Sequence, residues 1–428
     1  MSSALKTILF VTYGGGHAQM VWPVVHALRR IPCCGDSEVR IVTLALPAAR
    51  EILLDRGVEV VTFADYVDEN SDADALAWGR ELAQTHHSPS SGIDIAESIA
   101  YLGLSYKDLV LRHGEDEAAA MLSAQGRRAF FPLSVMARVF DDLRPDFVVT
   151  TNSPRSEAAA IATANLRGID NLIMADLFTG LGDYLLEARN ISYLNHVARD
   201  MFVADGLVDE SRSVAYFTGN PAFDRLLELP REPDPGWLQQ HFSAAVDAPA
   251  VLHADAPAYW DPLKKCSHFR SEAEILAELD AAWQAVVDND AIYLVRPHPS
   301  QRPQLYQDWI QGKKNAFLAM DNDLHDLLRN ISLLLVRTST VGLEAVYLRK
   351  RVLQLDCDFH ADLPLARMGV AWGINGFADL GKAVGNALAG TQGYETIRRR
   401  IDEVLPDAPA VLHADAPAYW DPLKKCSH

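Results

Sequence analysis

Residues 333–356 read LLLVRTSTVGLEAVYLRKRVLQLD, and the order of residue types in this stretch decides the fold. Four consecutive aliphatic residues, Leu333 to Val336, suit a strand buried on both faces, as in a parallel sheet. The small hydroxyl residues Thr338, Ser339 and Thr340 then form a turn, a helix starts at Val341, and RVLQLD supplies a second strand. Strand, turn, helix and strand without a hairpin signal make a parallel crossover unit.

The same alternation runs outward from this unit. Upstream lie the strand-like PAVLHAD (249–255), a helical pattern over 271–287, and AIYLVRPHPS (291–300). At the other end of the chain, apolar runs at 7–11, 39–44 and 58–63 alternate with helical patterns at 20–30 and 48–56. A longer, more helical stretch covers 72–143, and PDFVVTT (145–151) opens another strand–helix–strand unit that ends in NLIMADLF (171–178). Between the two series stands ELPREPDPGW (228–237), dense in proline and charge, which reads as a linker. The expected architecture is α/β, with two Rossmann-like doubly wound domains facing across a cleft. The expected divisions are 1–228, a hinge at 229–236, a second domain at 237–385, and a C-terminal helix at 386–406.

A segment of 22 residues, DAPAVLHADAPAYWDPLKKCSH, occurs at 247–268 and again, unchanged, at 407–428. Structural repeats recur at a fixed period and drift, which two identical copies do not. The first copy supplies a strand that the second domain needs, so 407–428 is read as an artefactual tail.

At 428 residues the chain exceeds one ordinary core, and 49% hydrophobic with 22% charged residues suits a globular protein. A formal charge of -18 argues against a nucleic-acid surface, which needs clustered cations. The first apolar run is too short for a signal peptide, and none approaches the ~20 residues of a membrane span. A cytoplasmic protein is expected, with peripheral membrane contact left open and the oligomeric state unspecified. The five cysteines have no zinc-like spacing, and DCDFHAD (356–362) matches no established ion site, so no metal is expected.

Two stretches concentrate candidate chemistry in the second half. At the TST turn, hydroxyls and free amides at a helix N-terminus offer an anion site suited to a diphosphate. Gly342 would let a ligand approach the backbone, and Glu344 could accept hydrogen bonds from a ribose. An ordinary capped helix explains the same residues. In RPHPS, Arg296 ends a strand, and Pro297 and Pro299 stiffen the loop that projects His298 and Ser300. In the first half, TYGGGHAQ (12–19) places Gly14, Gly15, Gly16 and His17 after a strand. It lacks the Lys-Ser/Thr end of a P-loop and the spacing of a dinucleotide fingerprint. In TTNSPRSEAA (150–159), Asn152, Ser153, Arg155 and Glu157 cluster where a strand meets a helix, either to read an acceptor or to cap that helix. Asp176, after LIMA, ends the next strand.

RTSTVGLEA, RPHPS and TGNPAFDRL together resemble the nucleotide-sugar half of GT-B glycosyltransferases and the related non-hydrolysing UDP-N-acetylglucosamine 2-epimerases, while FVTYGGGHA resembles the opening of their N-terminal half. That resemblance implies a donor diphosphate cradled by Thr338, Ser339, Thr340, Val341 and Gly342, with Glu344 on the ribose and Arg296, His298 and Ser300 nearby. It places acceptor or sugar over the loop Gly14, Gly15 and Gly16, with Asn152, Ser153 and Arg155 as further contacts. His17 would be the general base, work that suits an imidazole, with Asp176 as a second catalytic group. The nucleotide-sugar, UDP-linked first among the alternatives, is then a substrate, and no cofactor is implied. Cell-surface polysaccharide or glycoconjugate synthesis is the corresponding role. The epimerases resemble a pattern with strand ends Gly-Asp-Thr and His-Val-Glu-Ala-Gly. Here those places read VVTTNSPRSE and LIMADLFTG, so one acid is missing and transfer is favoured over epimerisation.

Overall fold

The computed structural model describes residues 6–30, 39–87, 93–152, 155–176, 185–243, 248–256, 269, 271–298, 301–357, 363–390 and 393–404. They fall into two compact units, one ending at Asp224 and the other beginning at Arg225.

Seven parallel strands form the sheet of the first unit: β1 (Lys6–Thr12), β2 (Val39–Ala45), β3 (Glu59–Val61), β4 (Phe147–Thr151), β5 (Asp170–Met174), β6 (Asn190–Tyr193) and β7 (Val214–Phe217). Their spatial order is β3-β2-β1-β4-β5-β6-β7. The order reverses between β1 and β4, which pair in the register Ile8 with Phe147 through Val11 with Thr150. Residues of β1 alternate between two cores, as a strand period of two requires. Leu9 and Val11 pack with Val42, Val148 and the helices Ile95–His113 and Leu133–Leu143. Ile8 and Phe10 pack on the other face with Met20, Val21 and Val25 of the helix Gly15–Arg30. Each such aliphatic side chain contributes about 1.5–3 kcal/mol, which is why unbroken apolar runs form the central strands.

The second unit repeats the plan with six parallel strands: β8 (Ala250–Ala254), β9 (Ile292–Arg296), β10 (Ala316–Leu318), β11 (Leu333–Val336), β12 (Arg351–Leu355) and β13 (Trp372–Ile374). The order is β10-β9-β8-β11-β12-β13, reversing between β8 and β11. The aliphatic run Leu333–Val336 is fully buried and pairs with β8 on one side and β12 on the other. The proline-rich connection is tied to this unit: Arg329 Nε donates to the Pro230 carbonyl at 3.0 Å, and the Asp234 amide donates to Asn330 Oδ1 at 2.7 Å. Residues 407–428 lie outside the described residues. No helix among the described residues is long and apolar enough to cross a membrane.

The helical stretch after β3 is held by contact and by charge. Helices Ala73–His86 and Ile95–His113 approach so closely that a Cβ on Gly103 would sit on the Ala75 carbonyl oxygen, and one on Gly79 on that of Ile99. Gly103→Ala should therefore lower the unfolding free energy by roughly 1–3 kcal/mol, measurable by denaturant titration. Just before the first of these helices, buried Asp72 takes both terminal nitrogens of Arg138, one at 2.9 Å, and Lys107 Nζ at 3.3 Å. Burial raises the Asp72 carboxyl, but Arg138, the Asp68 amide and Lys107 outweigh it and leave the group at about 2. The folded value is depressed, so this contribution, about 2 kcal/mol, is complete above the ordinary carboxylate range. It is lost as pH falls through about 2. The stability advantage of wild type over Asp72→Asn, followed by denaturant titration across acid pH, should shrink on acidification. An advantage independent of pH would remove this role.

Candidate functional site

In each unit, the point where the strand order reverses leaves a crevice at the carboxyl ends of the strands, where α/β sheets bind ligands. In the first unit the turns after β1, β4 and β5 bring two expected residues, His17 and Asp176, together with Thr151, which the sequence reading did not single out. His17 stands in the first turn of the helix Gly15–Arg30, and its Nδ1 lies 2.6 Å from Thr151 Oγ1 at the end of β4. Its Nε2 lies 3.4 Å from Asp176 Oδ2, both side chains remaining partly exposed. Thr151 Oγ1 in turn lies 3.5 Å from Oε1 of the fully buried Glu157. The ring is thus fixed between a hydroxyl backed by one carboxylate and a second carboxylate.

Asn152, expected to contact an acceptor, does something different with its oxygen: Oδ1 accepts the Asp176 amide at 3.0 Å and fixes the turn that carries Asp176. Asp176 Oδ1 has no hydrogen-bond partner among the described residues. Arg155 is buried, its guanidinium carbon 3.4 Å from the centre of the Tyr13 ring, so it braces the glycine loop instead of standing free for an anion. A Cβ on Gly14 or Gly16 would meet nothing within 4 Å among the described residues. Internal packing does not demand glycine there, and the backbone of the loop is open to approach. Ser153 lies outside the described residues.

The TST turn of the second unit follows β11. Ser339 is the N-cap of the helix Thr340–Tyr347, its hydroxyl accepting from the Val341 amide at 3.3 Å, while Thr340 is exposed. Gly342 is buried, and a Cβ there would press on Leu365 Cδ1 and Val336 Cγ1. The seating of the helix on the sheet is enough to account for glycine at this position. Glu344 is buried too, its Oε2 2.7 Å from His325 Nε2. Arg296, expected near phosphate, donates Nη1 to the Ala319 and Asn322 carbonyls at 2.9 and 2.7 Å and thereby braces the loops at this edge. His298 is half-buried, and burial lowers its pKa, so it is a neutral hydrogen-bonding group at neutral pH and not a cation. Ser300 lies outside the described residues.

Beneath the TST turn runs a charged network that sequence reasoning missed. Arg337, which leads into the turn, donates Nε to Glu278 Oε2 at 2.7 Å and Nη1 to Asp356 Oδ2 at 2.5 Å. Its carbonyl accepts from Gln354 Nε2 at 3.0 Å. His253, at the end of β8, adjoins this network through Glu278, and the hydroxyls of Tyr293 and Tyr306 meet His253 Nδ1 at 2.6 Å and Asp255 Oδ2. Burial pushes Asp255 up to about 6. The signal in the sequence was a charge closing each of two apolar runs, LLLVR and AVLHAD; the partners are far away in the chain.

No family model matches the chain, and comparison with curated proteins finds no match. Solved structures match over nearly its whole length. UDP-GlcNAc 2-epimerase from Neisseria meningitidis, bound to UDP-GlcNAc, aligns with a TM-score of 0.55 at 12% identity, over 93% of this chain and 98% of that one. The calicheamicin glycosyltransferase CalG4 aligns at 0.51 and 15% identity, over 96% and 95%. MurG from Acinetobacter baumannii aligns at 0.50 and 12%, over 96% and 98%. These proteins share the GT-B type of fold, and at such identities the likeness is one of fold. This chain is an α/β protein of that type, with two Rossmann-like sheets.

The clamp on His17 is open to test. Thr151→Val keeps the shape of the side chain and removes the hydroxyl. It should leave the circular dichroism spectrum unchanged and shift the ring nitrogen resonances of His17 in ¹⁵N NMR. Unchanged ring resonances would mean that Thr151 does not hold the imidazole.

Proposed function

We propose that the protein is a glycosyltransferase that moves a sugar from a nucleoside diphosphate donor, UDP-linked first among the alternatives, to a hydroxyl acceptor. The observation that carries this reading is the setting of His17: an imidazole held at Nδ1 by Thr151, with Asp176 beside Nε2 and an open glycine loop adjoining it. In the reaction, His17 Nε2 takes the proton of the acceptor hydroxyl, and the oxygen forms its bond to the anomeric carbon. The bond from that carbon to the diphosphate breaks, and its electron pair leaves with the nucleoside diphosphate. Asp176 stabilises the imidazolium so formed. The helix N-terminus at Thr340, with Thr338 and neutral His298, is assigned to the diphosphate, and Glu344 to the ribose. No metal is assigned to the reacting atoms. A role in polysaccharide or glycoconjugate synthesis accords with such a transfer.

A second reading, epimerisation at C2 of a UDP-sugar, is favoured by one observation, the free Oδ1 of Asp176, which could accept a carbon-bound proton. Against it, the stretch that resembles the place of one acid in those enzymes offers Asn152 or Ser153, and Asn152 Oδ1 accepts a backbone amide.

Titration with UDP, GDP, CDP and CMP should find one nucleotide that binds, and Thr340→Glu, a like charge at an exposed turn position, should weaken it by about tenfold or more. His17→Ala should cost roughly 10²–10⁴-fold in transfer with nucleotide affinity unchanged. Absence of any nucleotide binding would sink the proposal. Exchange of the C2 hydrogen with deuterated solvent in the absence of acceptor would select the epimerase. Binding without turnover, indifferent to His17→Ala, would make the protein a nucleotide-sugar sensor.

A further inference from the structure

We infer that the second unit contains a structural site for a divalent transition-metal cation, with His253 Nε2, Glu278 Oε1 and a carboxylate oxygen of Asp255 as ligands. One ligand atom from each of the three residues lies within 4.8 Å of the others, and all three residues are buried. His253 Nε2 and Glu278 Oε1 stand 3.3 Å apart, inside ion-pair range, yet neither atom has a hydrogen-bond partner among the described residues. The separation is that of two ligands on one tetrahedral ion, about 3.3 Å for bonds of about 2.0 Å. With both side chains only 1% exposed, these are two buried polar atoms aimed into the same small space. Leaving them so is costly unless a proton or a cation lies between.

Charge and orientation support a cation. Glu278 and Asp356 share one guanidinium, that of Arg337, which bonds the far oxygen of Glu278 and leaves Oε1 for a ligand. Each ligand is also oriented by an outer partner, as metal sites require: Tyr293 on His253 Nδ1, Arg337 on Glu278, Tyr306 on Asp255. One imidazole and two carboxylates suit zinc or a neighbouring first-row ion better than calcium. Bound there, the ion would tie the end of β8 to the helix Glu272–Val287 and, through Arg337, to the TST turn. It would brace this edge without touching a substrate, so the inference stands independently of the proposed transfer.

Because the ligands are buried, the full chain is to be unfolded with chelator and refolded with and without Zn²⁺ or Co²⁺. The expected result is one equivalent of metal retained after gel filtration, a higher melting temperature, and visible Co²⁺ bands of tetrahedral intensity. His253→Gln and Glu278→Gln should abolish retention while the far-ultraviolet circular dichroism stays native, and Tyr293→Phe should weaken affinity about tenfold or more. His413→Gln, in the identical C-terminal segment, should retain the metal, because Glu278 and Tyr293 have no counterpart in that segment. The inference is overturned if refolded wild type retains no metal with a melting temperature indifferent to chelator, which would assign the cluster to protons. It is equally overturned if His413→Gln abolishes retention while His253→Gln does not.

Discussion

Parallel strand pairing in which the central strands are covered on both faces is the constraint on which everything else in this protein rests. A parallel pair cannot be closed by a tight turn, so each strand must be followed by a helix that returns over the sheet. The return direction is right-handed, and the sheet can therefore be wound from its middle outward in two directions. β1 with β4 and β8 with β11 are the two middles. At each of them neighbouring turns run off to opposite faces, and side chains far apart in sequence come together: His17 with Thr151 and Asp176, His253 with Glu278 and Arg337.

The same constraint explains why polar groups accumulate there. The strand interiors admit only apolar side chains, but the last residue of a strand sits where the sheet ends and backbone donors and acceptors run out. Thr151, Asn152, Asp176, Asp255 and Arg337 all occupy such places. Some serve the frame. Asn152 and Arg296 satisfy backbone groups of adjoining turns, and Arg155 lies on Tyr13. Others, at Asp176 and in the His253 cluster, retain polar atoms without a partner among the described residues.

Residue type alone did not separate the two kinds. Glycines in TYGGGHAQ and TSTVGLEA carry the same local meaning, a backbone without a side chain. Gly342 is filled against by Leu365 and Val336, while a Cβ on Gly14 or Gly16 would meet nothing within 4 Å among the described residues. Arginines at Arg155 and Arg296 likewise invite an anion in the sequence, yet each is engaged within its own unit, by a ring or by carbonyls, and Arg337 is engaged by carboxylates. Long side chains beside a turn reach partners many residues away, and those partners are set by strand order.

What the sequence determined by itself was the α/β class and the repetition of the plan. Aliphatic runs such as LLLV and ILFV, spaced by helical patterns and broken by turn residues, leave a parallel sheet as the arrangement that buries them. It also located the turns that gather at the strand ends, because small hydroxyl and glycine residues mark them. Only the tertiary structure decided which groups meet. The pairing of β1 with β4 brought Thr151 and Glu157 behind His17, and the pairing of β8 with β11 brought Arg337 beside His253 and Asp255. Contacts of that kind depend on which strands are neighbours, a property of the whole sheet that no local window of sequence contains.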